Sequence, residues 1–236
     1  TYQTATLFPI LLSYFITHIM KKLFITLLSL FMLHQTFAQQ KLTPEMLWQI
    51  GRVGNPVISP DGKTVLFEVK KYDVPTNKGN TTVFTMPANG GTPTEILNLD
   101  AKAFNARFRP DGQRITFLST KTGDVQLFEA TLDGKNLTQI TAIEGGIEGY
   151  KYAPSMNNLM YIAKVKLEQT VAEMYPDLPL VKARIIDGLY YRHWDSWNDY
   201  TYNHPFIVSY QNGVITGTPI DILGDEKFLL PSADPH

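Results

Sequence analysis

The stretch Ile58-Ser59-Pro60-Asp61-Gly62-Lys63-Thr64-Val65-Leu66-Phe67 decides the fold, because it returns as Phe108-Arg109-Pro110-Asp111-Gly112-Gln113-Arg114-Ile115-Thr116-Phe117. Proline presets φ for the first central position of a turn, aspartate bonds its own backbone two residues on, and glycine accepts positive φ. The flanks alternate β-branched or aromatic residues with polar ones, as half-buried strands require. A weaker copy, Tyr152-Ala153-Pro154-Ser155, precedes Leu159-Met160-Tyr161-Ile162 and carries Met156-Asn157-Asn158 where the Asp-Gly would stand.

A second turn recurs later in each repeat. Asn89-Gly90-Gly91 precedes Glu95-Ile96-Leu97, and Asp133-Gly134-Lys135 precedes Leu137-Thr138-Gln139-Ile140. Both are hairpin signals between apolar runs. Each repeat therefore predicts four strands, at 56–59, 63–70, 81–86 and 94–97, then at 105–109, 113–119, 125–131 and 137–141. Four-stranded units at a period of roughly 45 residues are the mark of a β-propeller blade. The expected fold class is all-β, a partial propeller of four-stranded antiparallel blades preceded by a signal-peptide helix. Blades are expected at about 52–99 and 100–143, with an irregular third at 149–223. Strand-like runs return at Phe206–Tyr210 and Gly217–Ile222, after an excursion over 166–204.

Composition narrows the function. The chain has 21 basic and 22 acidic residues, a net charge of −1, and no basic run that would suit nucleic acid. It has no cysteine, and its five histidines are scattered, so neither a metal site nor a cofactor is expected. There is no Gly-x-Ser-x-Gly elbow, phosphate loop or His-Glu-x-x-His, so no catalytic residue is assigned.

Met20-Lys21-Lys22, the apolar run Leu23–Leu33 and the small residues of Thr36-Phe37-Ala38 read as a signal peptide over 20–38, cleaved after about Ala38. A helix over Leu23–Leu33 would span only about 16 Å, against a hydrocarbon core near 30 Å. Residues 1–19 read as translated upstream sequence. The rival reading joins Leu7–Leu33 into one span, with Lys21 and Lys22 near its centre. The expected location is periplasmic or secreted, with no stable membrane span after signal removal. Thr43-Pro44-Glu45 predicts an N-cap and a short helix to Ile50, ended by Gly51.

The segment from Tyr190 to Tyr202 holds six aromatics and two of the three tryptophans. Arg192, Trp194, Asp195 and Trp197 are its candidate substrate-access or domain-interface residues. Such a run could stack a ligand or anchor a partner domain, or its aromatics could pack between blades. Its spacing fits a helix face or a strand face equally.

With these repeats behind a signal peptide, the chain resembles the propeller of the prolyl oligopeptidase family of serine peptidases. Met174-Tyr175-Pro176-Asp177-Leu178-Pro179, Ala183-Arg184-Ile185-Ile186-Asp187 and Tyr191-Arg192-His193-Trp194-Asp195-Ser196-Trp197 are similar to exported bacterial members of its dipeptidyl-peptidase and acylaminoacyl-peptidase branch. The resemblance covers about residues 42–236. It implies an N-terminal propeller that admits short peptides to a C-terminal α/β-hydrolase domain carrying a Ser-Asp-His triad. That domain is absent from this sequence, so none of the family's catalytic residues falls on a position here. The resemblance thus implies an incomplete propeller over 39–236, inactive by itself, whose partners are short peptides and the hydrolase domain. The alternative is a non-catalytic periplasmic propeller that binds protein partners, similar to the Tol-system propeller protein.

Overall fold

A computed structural model describes residues 7–33, 41–96, 102–188, 191–193, 195–197 and 200–227. The chain divides into two compact units, Thr1–Leu47 and Trp48–His236.

In the first unit, α1 is one continuous helix over Leu7–Leu33, unbroken at Met20. Thr17 and Thr26 donate their hydroxyls back to the carbonyls of Ser13 and Lys22, at 2.7 and 2.8 Å, which satisfies these polar groups within an apolar helix. Among the described residues no helix is long and apolar enough to cross a membrane. The cleavage segment Thr36-Phe37-Ala38 lies outside the described residues. Helix α2 spans Pro44–Gln49. Thr43 caps it, its hydroxyl accepting from the Met46 amide at 3.2 Å, and Pro44 takes the first helical position, where its missing N–H is harmless.

The second unit is built of three four-stranded antiparallel sheets, so the all-β, bladed fold class expected from the repeats is observed. The first sheet is β1 (Arg52–Ile58), β2 (Thr64–Asp73), β3 (Lys78–Pro87) and β4 (Thr94–Glu95), in that order. The second is β5 (Ala103–Phe108), β6 (Arg114–Ser119), β7 (Gln126–Thr131) and β8 (Thr138–Gln139). The third joins β9 (Gly149–Tyr152) and β10 (Asn158–Lys166) to β13 (Thr201–Gln211) and β14 (Val214–Asp221). Between β10 and β13 lie helix α3 (Val171–Met174) and the hairpin β11 (Arg192–His193) to β12 (Ser196–Trp197). The outermost strands β4 and β8 are shorter than the sequence pattern predicts, and Leu97 lies outside the described residues.

The repeated tetrapeptides occupy equivalent turns. Gly62 and Gly112 have φ of 72° and 70°, and each donates its amide to the carbonyl three residues back at 2.8 Å. Asp61 and Asp111 each accept the amide two residues on at 3.1 Å, which locks the turn. The third copy keeps this shape without its glycine. Met156 stands at φ 59° and donates to the Ala153 carbonyl at 2.9 Å. Its side chain packs on the apolar cluster beneath, which offsets the strain of the left-handed conformation.

Register carries the repeat into the core. Phe67 faces Phe84, Phe117 faces Phe128 and Tyr161 faces Phe206 across the two central strands of each blade. All three pairs stack, with ring centroids 5.7, 5.9 and 5.2 Å apart. Such cross-strand pairs add roughly 0.5–1.5 kcal/mol each beyond their burial. Between the blades lie two cores. Leu66, Val83, Ala106, Ile115 and Phe117 join the first blade to the second. Leu118, Leu127, Leu159, Tyr161 and Val208 join the second to the third.

A buried polar cluster pins the second interface. Glu129 of β7 is fully buried and accepts from the hydroxyls of Tyr152 at 2.7 Å and Tyr210 at 2.5 Å. Arg109 donates to it at 3.0 Å, and Arg114 pairs with it at 3.1 Å. Burial and the Glu129 carboxylate push both phenols up, Tyr210 to about 12. This cluster explains why the second copy of the turn carries Arg109 where the first has Ser59. The guanidinium must hold Asp111 in the turn and Glu129 in the core at once.

Candidate functional site

The third blade departs from the other two in the link between its second and third strands. There the chain leaves β10 at Lys166 and returns at Thr201, and β10 and β13 still pair without a slip from Asn158↔Ser209 to Lys166↔Thr201. The excursion over 167–200 therefore rises from the end of a continuous ribbon. Its first element, α3, is fixed by a capping box. Thr170 accepts the Glu173 amide at 3.3 Å, and Glu173 accepts the Thr170 amide at 2.8 Å. Glu173 also accepts from Lys166, and these bonds hold its carboxyl down at about 2.

The aromatic segment forms a strand hairpin, with Arg192 opposite Trp197 and His193 opposite Ser196. The periodicity left helix and strand open, and the strand alternative is the one observed. Trp197 is 42% exposed and has two guanidiniums over its ring, Arg184 at 5.5 Å and Arg192 at 5.3 Å from its centroid. Tyr191 packs beside it at 6.0 Å. Each cation–π contact at such an exposed ring is worth about 0.5–1 kcal/mol. Asp195 is exposed at the hairpin tip. Trp194 lies outside the described residues.

Beneath the hairpin is a cleft of about 270 Å³, lined among others by Arg184, Asp187, Tyr191, Trp197, Tyr202 and Lys227. Glu168 closes its base. The carboxylate accepts from Lys227 at 2.9 Å and from the Tyr202 hydroxyl at 3.0 Å. The Lys227 bond holds Glu168 below the ordinary carboxylate range and holds Lys227 above its own ordinary value. Of the four residues singled out in the sequence, Arg192 and Trp197 meet across the hairpin, and Trp197 lines this cleft. Glu168 and Lys227 escaped the sequence reading, since a charge carries no local signal of its distant partner, and Arg184 entered it only within the stretch Ala183-Arg184-Ile185-Ile186-Asp187.

One buried pair has half the form of a catalytic triad. His204 is fully buried, and its Nδ1 meets Asp221 Oδ2 at 2.8 Å. Its Nε2, however, meets the Glu226 carbonyl at 3.0 Å, so the nitrogen that would serve a nucleophile is occupied by backbone. Burial raises the Asp221 carboxyl, but His204 and the amides of Leu223 and Gly224 outweigh it and leave it lowered. The pair anchors the segment that carries Lys227 to the cleft. Among the described residues no group of three histidine or acidic side chains is placed to hold a metal ion.

These features match known proteins. The family model of the TolB β-propeller domain matches residues 38–185. Dipeptidyl-peptidase 5 of Porphyromonas endodontalis is 35% identical over 202 residues, covering 86% of this chain and 29% of that protein. The protein of the same name from Porphyromonas gingivalis is 35% identical over 192 residues, covering 81% of this chain and 28% of its own length. The chain therefore spans less than a third of these curated relatives. The Pyrococcus horikoshii acylaminoacyl peptidase superposes with a TM-score of 0.55 at 14% identity, over 74% of this chain and 25% of that one. At that identity the superposition speaks for the fold. The turns, the blade registers and the family model together place the chain in the TolB β-propeller domain family, and its similarity to the two dipeptidyl-peptidases is that of a propeller portion of such proteins.

Proposed function

We propose that this chain is the propeller portion of an exported serine peptidase, and that it governs the access of short peptides to a catalytic hydrolase domain. The observation that carries this reading is the 35% identity to two proteins named dipeptidyl-peptidase 5, over a stretch that is only 28–29% of their length. Chemistry would lie outside these residues. The only buried histidine among those described has both ring nitrogens engaged, one by a carboxylate and one by backbone. In this reading the hairpin bearing Arg192, Trp194, Asp195 and Trp197 faces the peptide or the catalytic domain. The run over 20–38 serves as the export signal, and the mature protein resides in the periplasm or beyond the cell.

The test assays the 236-residue chain beside the full-length polypeptide on dipeptidyl and acyl-aminoacyl chromogenic substrates. Turnover is expected from the full-length protein, blocked by a serine-directed inhibitor, and none from the chain alone. Inhibitor-sensitive turnover by the chain alone would overturn the assignment of chemistry to another domain. A second reading, a non-catalytic propeller that binds protein partners, draws on the TolB description of the matching family model. A full-length protein with no peptidase activity and no Gly-x-Ser-x-Gly elbow would favour it.

A further inference from the structure

The three blades differ in how far their central hairpins reach. Aligned on the turn prolines, Ser119 of β6 corresponds to Val69 of β2, yet β2 runs on to Asp73 while β6 stops. On the same alignment Lys166, the last residue of β10, corresponds to Tyr72. The second blade is therefore recessed, by about 14 Å from the end of β2 and about 10 Å from the end of β10, between two projecting ribbons. On β2, Leu66 packs against the second blade, and Glu68 accepts the Ala106 amide at 2.7 Å. Strand alternation then puts Lys70 and Tyr72 on that same face, where β6 no longer extends to cover them.

The result is a groove of about 680 Å³ whose described lining includes Lys70, Lys78, Lys102, Thr81, Phe104 and Thr120, and no carboxylate. All three lysines are exposed, and Phe104 is 37% exposed at the floor. Asp73, the register partner of Lys78, accepts the Thr76 hydroxyl. Lys70 is held over the Tyr72 ring at 5.2 Å, and its hydrogen bond draws the phenol below its ordinary value. Gly79 makes this possible, because a Cβ there would stand 2.8 Å from Lys70 Cε and 3.1 Å from the Tyr72 ring.

We propose that this groove between the first and second blades binds an extended acidic peptide segment. The ammonium groups of Lys70 and Lys78 on one groove, in a chain of net charge −1, form a local positive field that carboxylates complement. The volume falls within the roughly 300–1,000 Å³ of ligand sites and exceeds what a single small anion fills. The side chains of Thr81 and Thr120 can bond a peptide backbone, and Phe104 offers an apolar floor. The site is separate from the cleft beneath the aromatic hairpin and does not depend on the peptidase reading.

The experiment is isothermal titration calorimetry of the 236-residue chain with acetylated hexaglutamate, hexalysine and inorganic phosphate, at low and at physiological ionic strength. Hexaglutamate is expected to bind, more weakly as salt rises, and hexalysine is not. Lys70→Glu with Lys78→Glu should weaken hexaglutamate at least about tenfold, since two attractions become two repulsions, with thermal unfolding unchanged. Gly79→Ala, which displaces the Lys70 ammonium, should also weaken it, and this variant decides the matter if the double variant does not fold. Absence of hexaglutamate binding, equal binding of hexalysine, full competition by phosphate at equal concentration, or unaltered affinity in these variants would overturn the proposal.

Discussion

Replacing Glu129 with alanine should unfasten the second blade from the third. The carboxylate is fully buried and takes hydrogen bonds from Tyr152, Tyr210 and Arg109, with Arg114 paired at 3.1 Å. Removing one side of a buried ion pair costs about 3–5 kcal/mol, because the charge left behind stays desolvated. Here the partners differ in what they retain. Arg109 keeps Asp111 at 2.5 Å, and Arg114 keeps the Asn136 carbonyl at 2.6 Å. The Tyr210 oxygen still accepts from the Gly213 amide at 3.0 Å, but its proton loses its acceptor, as does that of Tyr152. Two orphaned phenols at about 1–1.5 kcal/mol each, plus a half-compensated guanidinium, put the loss near 3 kcal/mol. With a urea slope of about 2 kcal/mol per molar, the unfolding midpoint should fall by roughly 1.5 M. Glu129→Gln, which keeps the volume and one acceptor, should fall between parent and Ala. A cycle with Tyr210→Phe should show coupling of about 1 kcal/mol or more. An Ala variant within about 0.5 kcal/mol of the parent, or no coupling to Tyr210, would refute the view that this cluster clamps the blades.

Other outcomes follow from the same structure. Tyr210 is pushed up to about 12 and Tyr152 and Tyr150 are raised further, chiefly by burial, so their contribution to stability is complete below the ordinary phenol value near 10. It should be lost as pH rises from about 10 through 12, and absorbance titration near 295 nm should show these phenols ionising only as the protein unfolds. Glu173 is held down at about 2 by Lys166 and the capping box, so its contribution is complete above the ordinary carboxylate value near 4.3. It should disappear between about pH 4 and 2, seen as faster amide exchange over Val171–Met174, and a Glu173→Gln variant should lack that transition. Gly112→Ala should cost about 1–2 kcal/mol by denaturant unfolding, since φ is 70° there while the nearest atom to a new Cβ is an unstrained 3.5 Å away. Leu66→Ala, at a fully buried position between the first two blades, should cost about 2–5 kcal/mol in the same assay.

The aromatic hairpin was legible as a candidate site only by composition. Six aromatics between Tyr190 and Tyr202 mark the segment, but nothing in that run announces that Arg184 will share Trp197 with Arg192. The base of the cleft was not legible at all. Glu168 and Lys227 stand 59 residues apart in the chain, and they meet because β10 and β13 pair in register across the whole excursion.

What the sequence alone determined was the blade. Pro60-Asp61-Gly62 and Pro110-Asp111-Gly112 set their turns through φ preferences and one Asx hydrogen bond, and both are properties of four consecutive residues. Alternation then fixed which side of each strand faces the core. What only the tertiary structure decided depends on residues far apart. Met156 takes a left-handed turn position because the core beneath holds it there, against its own preference. Glu129 is tolerable inside the protein because Arg109 arrives from the turn after β5, and Tyr152 and Tyr210 arrive from the third blade. The basic groove exists because one blade is shorter than its neighbours, a difference invisible until the blades are set side by side. Turn geometry is a short-range steric matter, whereas burial of charge and the shape of a groove are sums over non-local neighbours, which a linear pattern does not contain.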